Sequence, residues 1–159
     1  MSTMAPTIPP VRKQVTVNAP RAHVFNVFVN GIDRWWPRQH HIGKTPPTAF
    51  IIEPKKGGRW YATHEDGTET NTGYVIAYDA PQRVVLAWQL KVDWSFDPDF
   101  VTEVEVTFAE DGPNTTVVTL EHRDLDKYGV GADKLREGID SPEGWGGIMR
   151  LFAEEAAKV

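Results

Sequence analysis

Two histidines of this sequence lie where an imidazole can act on a bound molecule. His64 is the next-to-last residue of the segment GGRWYATHE and His122 ends TTVVTLEH, and both segments have the alternation of a strand. An imidazole exchanges protons near neutral pH and binds metals together with carboxylates. The alternative is a structural role in which neighbouring hydroxyl or backbone groups satisfy each ring. We favour a ligand-orienting role for one of the two.

The other candidate residues do not indicate a metal site or a nucleophile. No third ligand accompanies these histidines at metal spacing, and the chain has no cysteine, which excludes thiolate ligands. His40 and His41 are adjacent, so they lack the i, i+4 spacing that presents two ligands on one helix face. We therefore predict no metal and no cofactor, and we assign no catalytic residue.

A pair of carboxylates and a glycine turn also have ordinary explanations. Glu103 and Glu105 alternate with valines in TEVEV, which predicts a solvated sheet face rather than an acid and base pair. The glycines of GGRW are not accompanied by the lysine of a phosphate-binding loop, so they predict a bend or bulge. Catalysis is not evident from these residue types.

The composition favours a single acidic domain with an excess of tryptophan. The chain has 159 residues, 40% of them hydrophobic, and a formal net charge of -5. This charge argues against nucleic-acid binding, and no segment approaches the roughly 20 apolar residues of a membrane span. We expect a cytoplasmic protein with a flexible tail at residues 1–10 and one domain at residues 11–159. The six tryptophans exceed what a core requires, which suggests the wall of a ligand cavity.

The hydrophobic periodicity predicts an α+β chain with a long terminal helix. VRKQVTV alternates as a strand, and a short helix with Asn18 as its N-cap and a further helical turn, IDRWW, follow it. Six segments up to His122 form an antiparallel meander, which gives a sheet of about seven strands with the first one. SPEGWGGIMRLFAEEAAKV, with Ser141 as N-cap, forms an amphipathic helix across the apolar face.

The same periodicity predicts which side chains face the apolar side of the sheet. Plain core packing is the alternative for most aromatic residues in a domain of this size. The predicted ligand-binding wall takes one residue from the helical turn, five from strands and three from the last helix: Trp36, Trp60, His64, Trp88, Val106, His122, Trp145, Met149 and Phe152.

Several blocks of the sequence together resemble one protein family. They are DRWWP, EPKKGGRW, GYVIAYDAPQRVVLAWQ, TEVEVTF, LEHRDLDKYG and the GW that opens the last helix. These blocks are similar to the activator of Hsp-90 ATPase homologue-like family, a branch of the START and Bet v superfamily, which is also called SRPBCC. The resemblance extends from about Val11 to the end of the chain. It implies the helix-grip fold, in which a curved antiparallel sheet and the terminal helix enclose a hydrophobic cavity.

The resemblance implies that the protein binds a ligand, but it does not imply a particular reaction. Three functional hypotheses remain open. The first is binding of a small hydrophobic or aromatic molecule in the cavity, with His40 and His41 in a loop near its mouth. The second is a cyclase-type or hydrolase-type enzyme that uses His64 or His122 as general acid or base. The third is a co-chaperone-like protein-interaction module. The name of the family comes from similarity to one domain of a eukaryotic co-chaperone, and we expect this chain to lack the other domain of that protein, which counts against the third hypothesis. A homodimer through an exposed strand edge is a further hypothesis that no specific residue supports.

Overall fold

A sheet of seven antiparallel strands forms the frame of the computed structural model, which describes residues 8–158. The strands lie in the order β1-β7-β6-β5-β4-β3-β2, so the first strand of the chain pairs with the last. Their bounds are β1 (Val11–Val17), β2 (Pro47–Ile52), β3 (Arg59–His64), β4 (Glu69–Asp79), β5 (Arg83–Trp88), β6 (Thr102–Glu110) and β7 (Thr116–Arg123). Of the tail that we predict at residues 1–10, residues 1–7 lie outside the described part of the chain.

Helices cover one face of this sheet. They are α1 (Arg21–Val29), α2 (Ile32–Trp35), α3 (Ala132–Asp140) and α4 (Trp145–Ala156), with a 3-10 turn at Leu125–Tyr128 before α3. Helix α4 packs on β1, α1 and α2, and its buried stripe includes Trp145, Met149 and Phe152. The predicted α+β helix-grip architecture is confirmed. Within residues 8–158, no helix is both long enough and apolar enough to cross a lipid bilayer.

Two helix starts differ from the sequence prediction. Helix α1 begins at Arg21 with Pro20 as its N-cap, and no side chain caps it, so the predicted cap at Asn18 is wrong. Helix α4 begins at Trp145 after Gly144. Ser141 instead ends α3, where its hydroxyl donates to the Gly138 carbonyl at 2.6 Å. No side chain caps the start of α4, so the predicted cap at Ser141 is wrong.

The outer face of the sheet has the charged surface that the TEVEV pattern predicts. Arg123 donates to Glu103 at 2.8 Å and to Glu105 at 2.7 Å, and Arg83 also donates to Glu105. Hydrogen bonds from Arg83 and Arg123 lower the pKa of Glu105. The two glutamates therefore form a solvated ion-pair network on the convex face, separated from the apolar face by the sheet itself.

Aromatic packing fills one end of the space between the sheet and α4, which we name the closed end. Phe28 is its centre, with ring centroids 5.1 to 5.8 Å from those of Trp35, Phe108 and Phe152. The indole N–H of Trp35 donates to the Val27 carbonyl at 2.9 Å, so its polar atom is satisfied within the core. The closed end comprises Phe25, Phe28, Trp35, Phe108 and Phe152, all at most 4% exposed.

Candidate ligand-binding cavity

Four tryptophans from four different elements meet at the other end of the sheet. Neighbouring ring centroids in the cycle Trp36, Trp60, Trp88, Trp145 lie 5.6 to 5.9 Å apart, with interplanar angles of 61 to 89°. Such edge-to-face arrangements are the favourable ones for aromatic pairs. We call these four residues the tryptophan quartet. All four are at least 92% buried.

A glycine permits the contact between two members of the quartet. Gly73 on β4 pairs with Trp60 on β3 and with Trp88 on β5. Because position 73 has no side chain, the two indoles approach to 5.6 Å across it. A Cβ atom at Gly73 would lie 1.6 Å from the Ala87 carbonyl oxygen, so the backbone itself requires glycine here.

The tryptophan quartet lines a cavity of about 450 Å³ between the sheet and the start of α4. This volume lies within the range of small-molecule sites in proteins. The rest of the wall comes from the loop after α2, from strands β2 to β5, from the loop before β6 and from the α3–α4 region: Gln39, His40, His41, Ile42, Phe50, Ala62, Thr70, Thr72, Leu90, Trp94, Gly138, Ile139, Ser141, Glu143, Gly144 and Ile148.

A β-bulge brings two threonines to this wall. Trp60 pairs with Gly73 and Tyr61 pairs with Asn71, which leaves Thr72 as an extra residue on β4. Bulges redirect side chains and are common beside functional sites. Thr70 and Thr72 consequently both line the cavity. Simple alternation does not predict this arrangement. The polar segment ETNTG, residues 69–73, is the sequence feature that corresponds to it.

His122 is fully buried, and the protein uses both of its ring nitrogens. The indole N–H of Trp145 donates to Nδ1 at 3.1 Å, so this nitrogen must be the unprotonated acceptor. Nε2 therefore bears the proton and donates it to the Thr102 hydroxyl at 2.9 Å, which in turn donates to the Trp88 carbonyl at 3.1 Å. Burial lowers the pKa of His122 to about 3, so the ring is neutral at physiological pH.

His64 lies behind the wall in a similar way. Its Nδ1 lies 2.9 Å from the Thr45 carbonyl oxygen, which only accepts, so Nδ1 bears the proton. Nε2 then accepts from the Thr70 hydroxyl at 2.8 Å. The cavity thus meets the Thr70 side chain rather than the imidazole. Both predicted histidines are connected to the wall through a neighbour, His64 through Thr70 and His122 through Trp145.

The structure brings four of the nine predicted wall residues together as the tryptophan quartet. Val106 is fully buried between Val84 and Leu120 in the middle of the sheet. Phe152 belongs to the closed end, and Met149 lies beside it on the buried face of α4. These three residues and the two histidines do not line the cavity. Thr70 and Trp145 separate the histidines from it, and the other three residues belong to the packed core.

The mouth contains ionisable groups, of which the sequence indicated the two histidines as loop residues and did not indicate Glu143 as part of the site. His40 and His41 both line the cavity, together with Glu143 from the α3–α4 connection. Burial lowers the pKa of His40, and the negative charge of Glu143 partly opposes this effect. Nδ1 of His41 is buried with no hydrogen-bond partner among the described residues. No three histidine or carboxylate groups within residues 8–158 come together as metal ligands would.

The Asp93–Asp99 loop contributes Trp94 to the wall. Its ring lies 6.4 Å from that of Trp88, and the side chain is 47% exposed, as expected at an entrance. Trp94 has a φ of 66°, in the left-handed region that bulky residues seldom adopt. Strained backbone of this kind is concentrated at ligand sites.

Two solved structures are similar to this chain over nearly its whole length. The first, the anthrahydroquino-γ-pyrone synthase Txn09, is 35% identical with a TM-score of 0.65, over 95% of this chain and 99% of that one. The second, the self-sacrificing resistance protein CalC from Micromonospora echinospora, is 37% identical with a TM-score of 0.69, over 93% of this chain and 94% of that one. The dynemicin-locus protein DynU16 is 18% identical with a TM-score of 0.59, over 95% of this chain and 48% of that one, and shows the fold alone.

A family model gives the assignment of the chain. No curated protein matches the sequence significantly. The model described as Activator of Hsp90 ATPase homolog 1-like protein matches residues 18–157. These residues include all the elements from α1 to α4, so the match covers six of the seven strands, all but β1, together with the cavity and the helix that closes it. The resemblance found in the sequence blocks is confirmed, and the chain belongs to the Activator of Hsp90 ATPase homolog 1-like family.

Proposed function

We propose that the protein binds a planar polycyclic aromatic molecule in the cavity. The observation that carries this proposal is the tryptophan quartet, since four contacting indoles, from the sheet, the end of α2 and the start of α4, offer a ligand flat apolar surfaces and ring edges. Aromatic pairs contribute about 0.5–1.5 kcal/mol beyond the burial of their area. An aliphatic ligand would gain only the free energy of burying its apolar area, so the quartet favours an aromatic ligand.

The size of the cavity sets the scale of the affinity. Burial of roughly 300 Å² of apolar ligand surface contributes about 7 kcal/mol before the costs of association are subtracted. Apolar contact alone therefore supports at best micromolar binding, and tighter binding needs polar contacts.

One of the two similar structures supports the same class of ligand. Txn09, as its name states, is a synthase of an anthrahydroquino-γ-pyrone, a fused aromatic system with oxygen substituents. CalC is a resistance protein. Both match this chain above 30% identity over at least 93% of its length. Sequestration of a polycyclic product and its conversion are both compatible with one cavity.

Turnover of the bound molecule is the second candidate, favoured by the 35% identity to a synthase. His64 and His122 do not support it, since the protein occupies both nitrogens of each ring. The ionisable groups on the wall are His40, His41 and Glu143. We assign any proton transfer to these groups, which lie within reach of a ligand at the mouth.

Quenching of tryptophan fluorescence tests the binding proposal. Five of the six tryptophans line the cavity, so an aromatic acceptor such as 2-(hydroxymethyl)anthraquinone should quench most of the emission with a saturable curve. Ala62→Leu, which extends a side chain into the cavity, should weaken binding at least tenfold. Ala109→Leu is the matched control, because Ala109 is an exposed residue on β6. Unsaturable quenching, or equal affinity of wild type and Ala62→Leu, would contradict the proposal.

A further inference from the structure

The four indole N–H groups of the tryptophan quartet fall into two classes. Trp36 donates to the His40 carbonyl at 3.1 Å, and Trp145 donates to His122 Nδ1 at 3.1 Å. Each of these N–H groups is satisfied by the protein. Trp60 and Trp88 have no hydrogen-bond acceptor for Nε1 among residues 8–158. Half of the quartet thus keeps a free donor.

The free donors belong to almost fully buried side chains. Trp60 is 2% exposed and Trp88 is 6% exposed, and both line the cavity. Nε1 of neither residue is fully enclosed, since His41 Nδ1 is the one fully buried side-chain nitrogen or oxygen without a partner within residues 8–158. Each N–H therefore keeps access to the cavity that its side chain lines, where water or a ligand oxygen can accept from it. A ligand that displaces this water has to supply an acceptor in its place, because an unsatisfied donor is costly.

The two donors are neighbours on the sheet side of the cavity. Trp60 and Trp88 flank Gly73, and the bulge beside it adds the hydroxyl of Thr72 to the same wall. The facing wall, from α3 and α4, includes the apolar side chains of Ile139 and Ile148. A ligand with an oxygen at one edge would therefore place that edge toward β3, β4 and β5.

The charges on the wall disfavour an anionic acceptor. Among the described residues, no lysine or arginine lines the cavity, while Glu143 does, and burial lowers the pKa of His40 on the same wall, which favours its neutral form. A buried carboxylate or phosphate without a cationic partner is strongly unfavourable. A carbonyl or another neutral oxygen accepts from an N–H group without this penalty, and it fits the two donors.

We propose that Trp60 and Trp88 act as a donor pair for a neutral ring oxygen, so that the ligand class is the polycyclic quinones and related aromatic ketones. This inference rests on the proposed aromatic-binding function and specifies its polar contact. It assigns the two residues to ligand selection, whereas Trp36 and Trp145 contribute their ring surfaces alone.

Two neutral probes of the same shape test the inference in the unaltered protein. 2-(Hydroxymethyl)anthraquinone has two ring carbonyl groups, and 2-(hydroxymethyl)anthracene has none. We expect the quinone to bind at least tenfold more tightly when both are titrated by fluorescence quenching. Equal affinity of the two probes would overturn the donor-pair inference but leave the binding function intact. Binding of neither probe would overturn both.

Matched tryptophan variants then assign the preference to particular N–H groups. Trp60→Phe and Trp88→Phe keep an aromatic ring without the donor, so each should reduce the quinone-to-anthracene affinity ratio several-fold. Trp36→Phe is the control, because its N–H is already bound to His40, and it should keep the ratio. An equal fall of the ratio in Trp36→Phe would contradict the inference.

Indole N–H signals in ¹H–¹⁵N spectra provide a readout that does not depend on affinity. On saturation with the quinone, the signals of Trp60 and Trp88 should shift downfield as they acquire an acceptor, and that of Trp36 should move less. Movement confined to Trp36 and Trp145 would overturn the assignment.

Discussion

The indole N–H of Trp145 donates to Nδ1 of His122 across 3.1 Å, inside a completely buried pair. This hydrogen bond joins the first residue of α4 to strand β7, and it fixes the orientation of one member of the tryptophan quartet. Through Thr102 it extends to the backbone of Trp88. His122 is therefore a positioning residue for two sides of the cavity.

We predict that His122→Leu destabilises the fold. The substitution leaves the Trp145 N–H buried without an acceptor, which costs about 1–3 kcal/mol, and removes the contact with Thr102. Urea denaturation should show this decrease in the free energy of unfolding. In a double-mutant cycle, Trp145→Phe and His122→Leu together should cost less than the sum of the two single changes. Strict additivity would show that the hydrogen bond does not couple them.

Stability should depend on pH through the same imidazole. The pKa of His122 is lowered from 6.5 to about 3 in the folded protein, so between these values the unfolded chain binds one more proton. The free energy of unfolding should therefore fall as the pH falls below about 6.5, by about 1 kcal/mol for each pH unit.

The difference between wild type and His122→Leu isolates this effect. His40 has a lowered pKa and titrates in both proteins, so its contribution cancels. Denaturation at pH 7, 6 and 5 should show a steeper loss of stability in the wild type. Parallel pH profiles would contradict the prediction, because they would mean that the pKa of His122 is the same in the folded and the unfolded protein.

Two glycine substitutions should have opposite effects. Gly73→Ala places a Cβ atom 1.6 Å from the Ala87 carbonyl oxygen, so it should disrupt β4 and β5 and strongly lower the thermal midpoint. Gly138→Ala in α3 meets nothing within 4 Å, and should stabilise the protein by about 0.5–1 kcal/mol because alanine is the better helix former. Thermal unfolding of both variants is the measurement. A Gly73→Ala protein as stable as the wild type would contradict the conclusion that the backbone of β4 requires glycine at position 73.

Replacement of Trp94 should separate binding from stability. Trp94→Gly removes a half-exposed side chain from the mouth and also relieves a left-handed conformation worth about 1–2 kcal/mol. We expect an unfolding free energy within about 1 kcal/mol of wild type, with a several-fold weaker affinity for the quinone probe. Val130→Ala, at a residue that is 98% exposed, is the control and should change neither quantity. Unchanged affinity of Trp94→Gly would show that the loop does not contact the ligand.

Strand alternation was sufficient to place Trp60 and Trp88 on the inner face, because the extra residues of the neighbouring bulges lie on β2 and β4 and not on β3 or β5. It could not separate them from Val106 and Phe152. These two residues also lie on the inner side, but they lie nearer the closed end, where α1 and other aromatic side chains occupy the space. Periodicity predicts which face of an element a residue is on, whereas its position between the closed end and the cavity depends on which remote segment covers it.

The polar features of the site were harder to predict for a related reason. The bulge that turns Thr72 inward breaks the period of two on which the face assignment rests. The partners of His122 and His64 include Trp145 and the Thr45 carbonyl, 23 and 19 residues away, and neither spacing corresponds to a motif. Ser141 has the residue type of an N-cap, but its hydroxyl bonds to the preceding helix.

The division of the interior between a closed end and a cavity has an evolutionary consequence. The phenylalanines of the closed end maintain the scaffold, while loops, a bulge and the first residue of a helix supply the wall of the cavity. Inherited changes at Thr72, Ile148 or Trp94 can alter ligand preference without disturbing the packing around Phe28. A lineage with this scaffold can therefore acquire new small-molecule specificities through a few side-chain replacements while the fold itself is conserved.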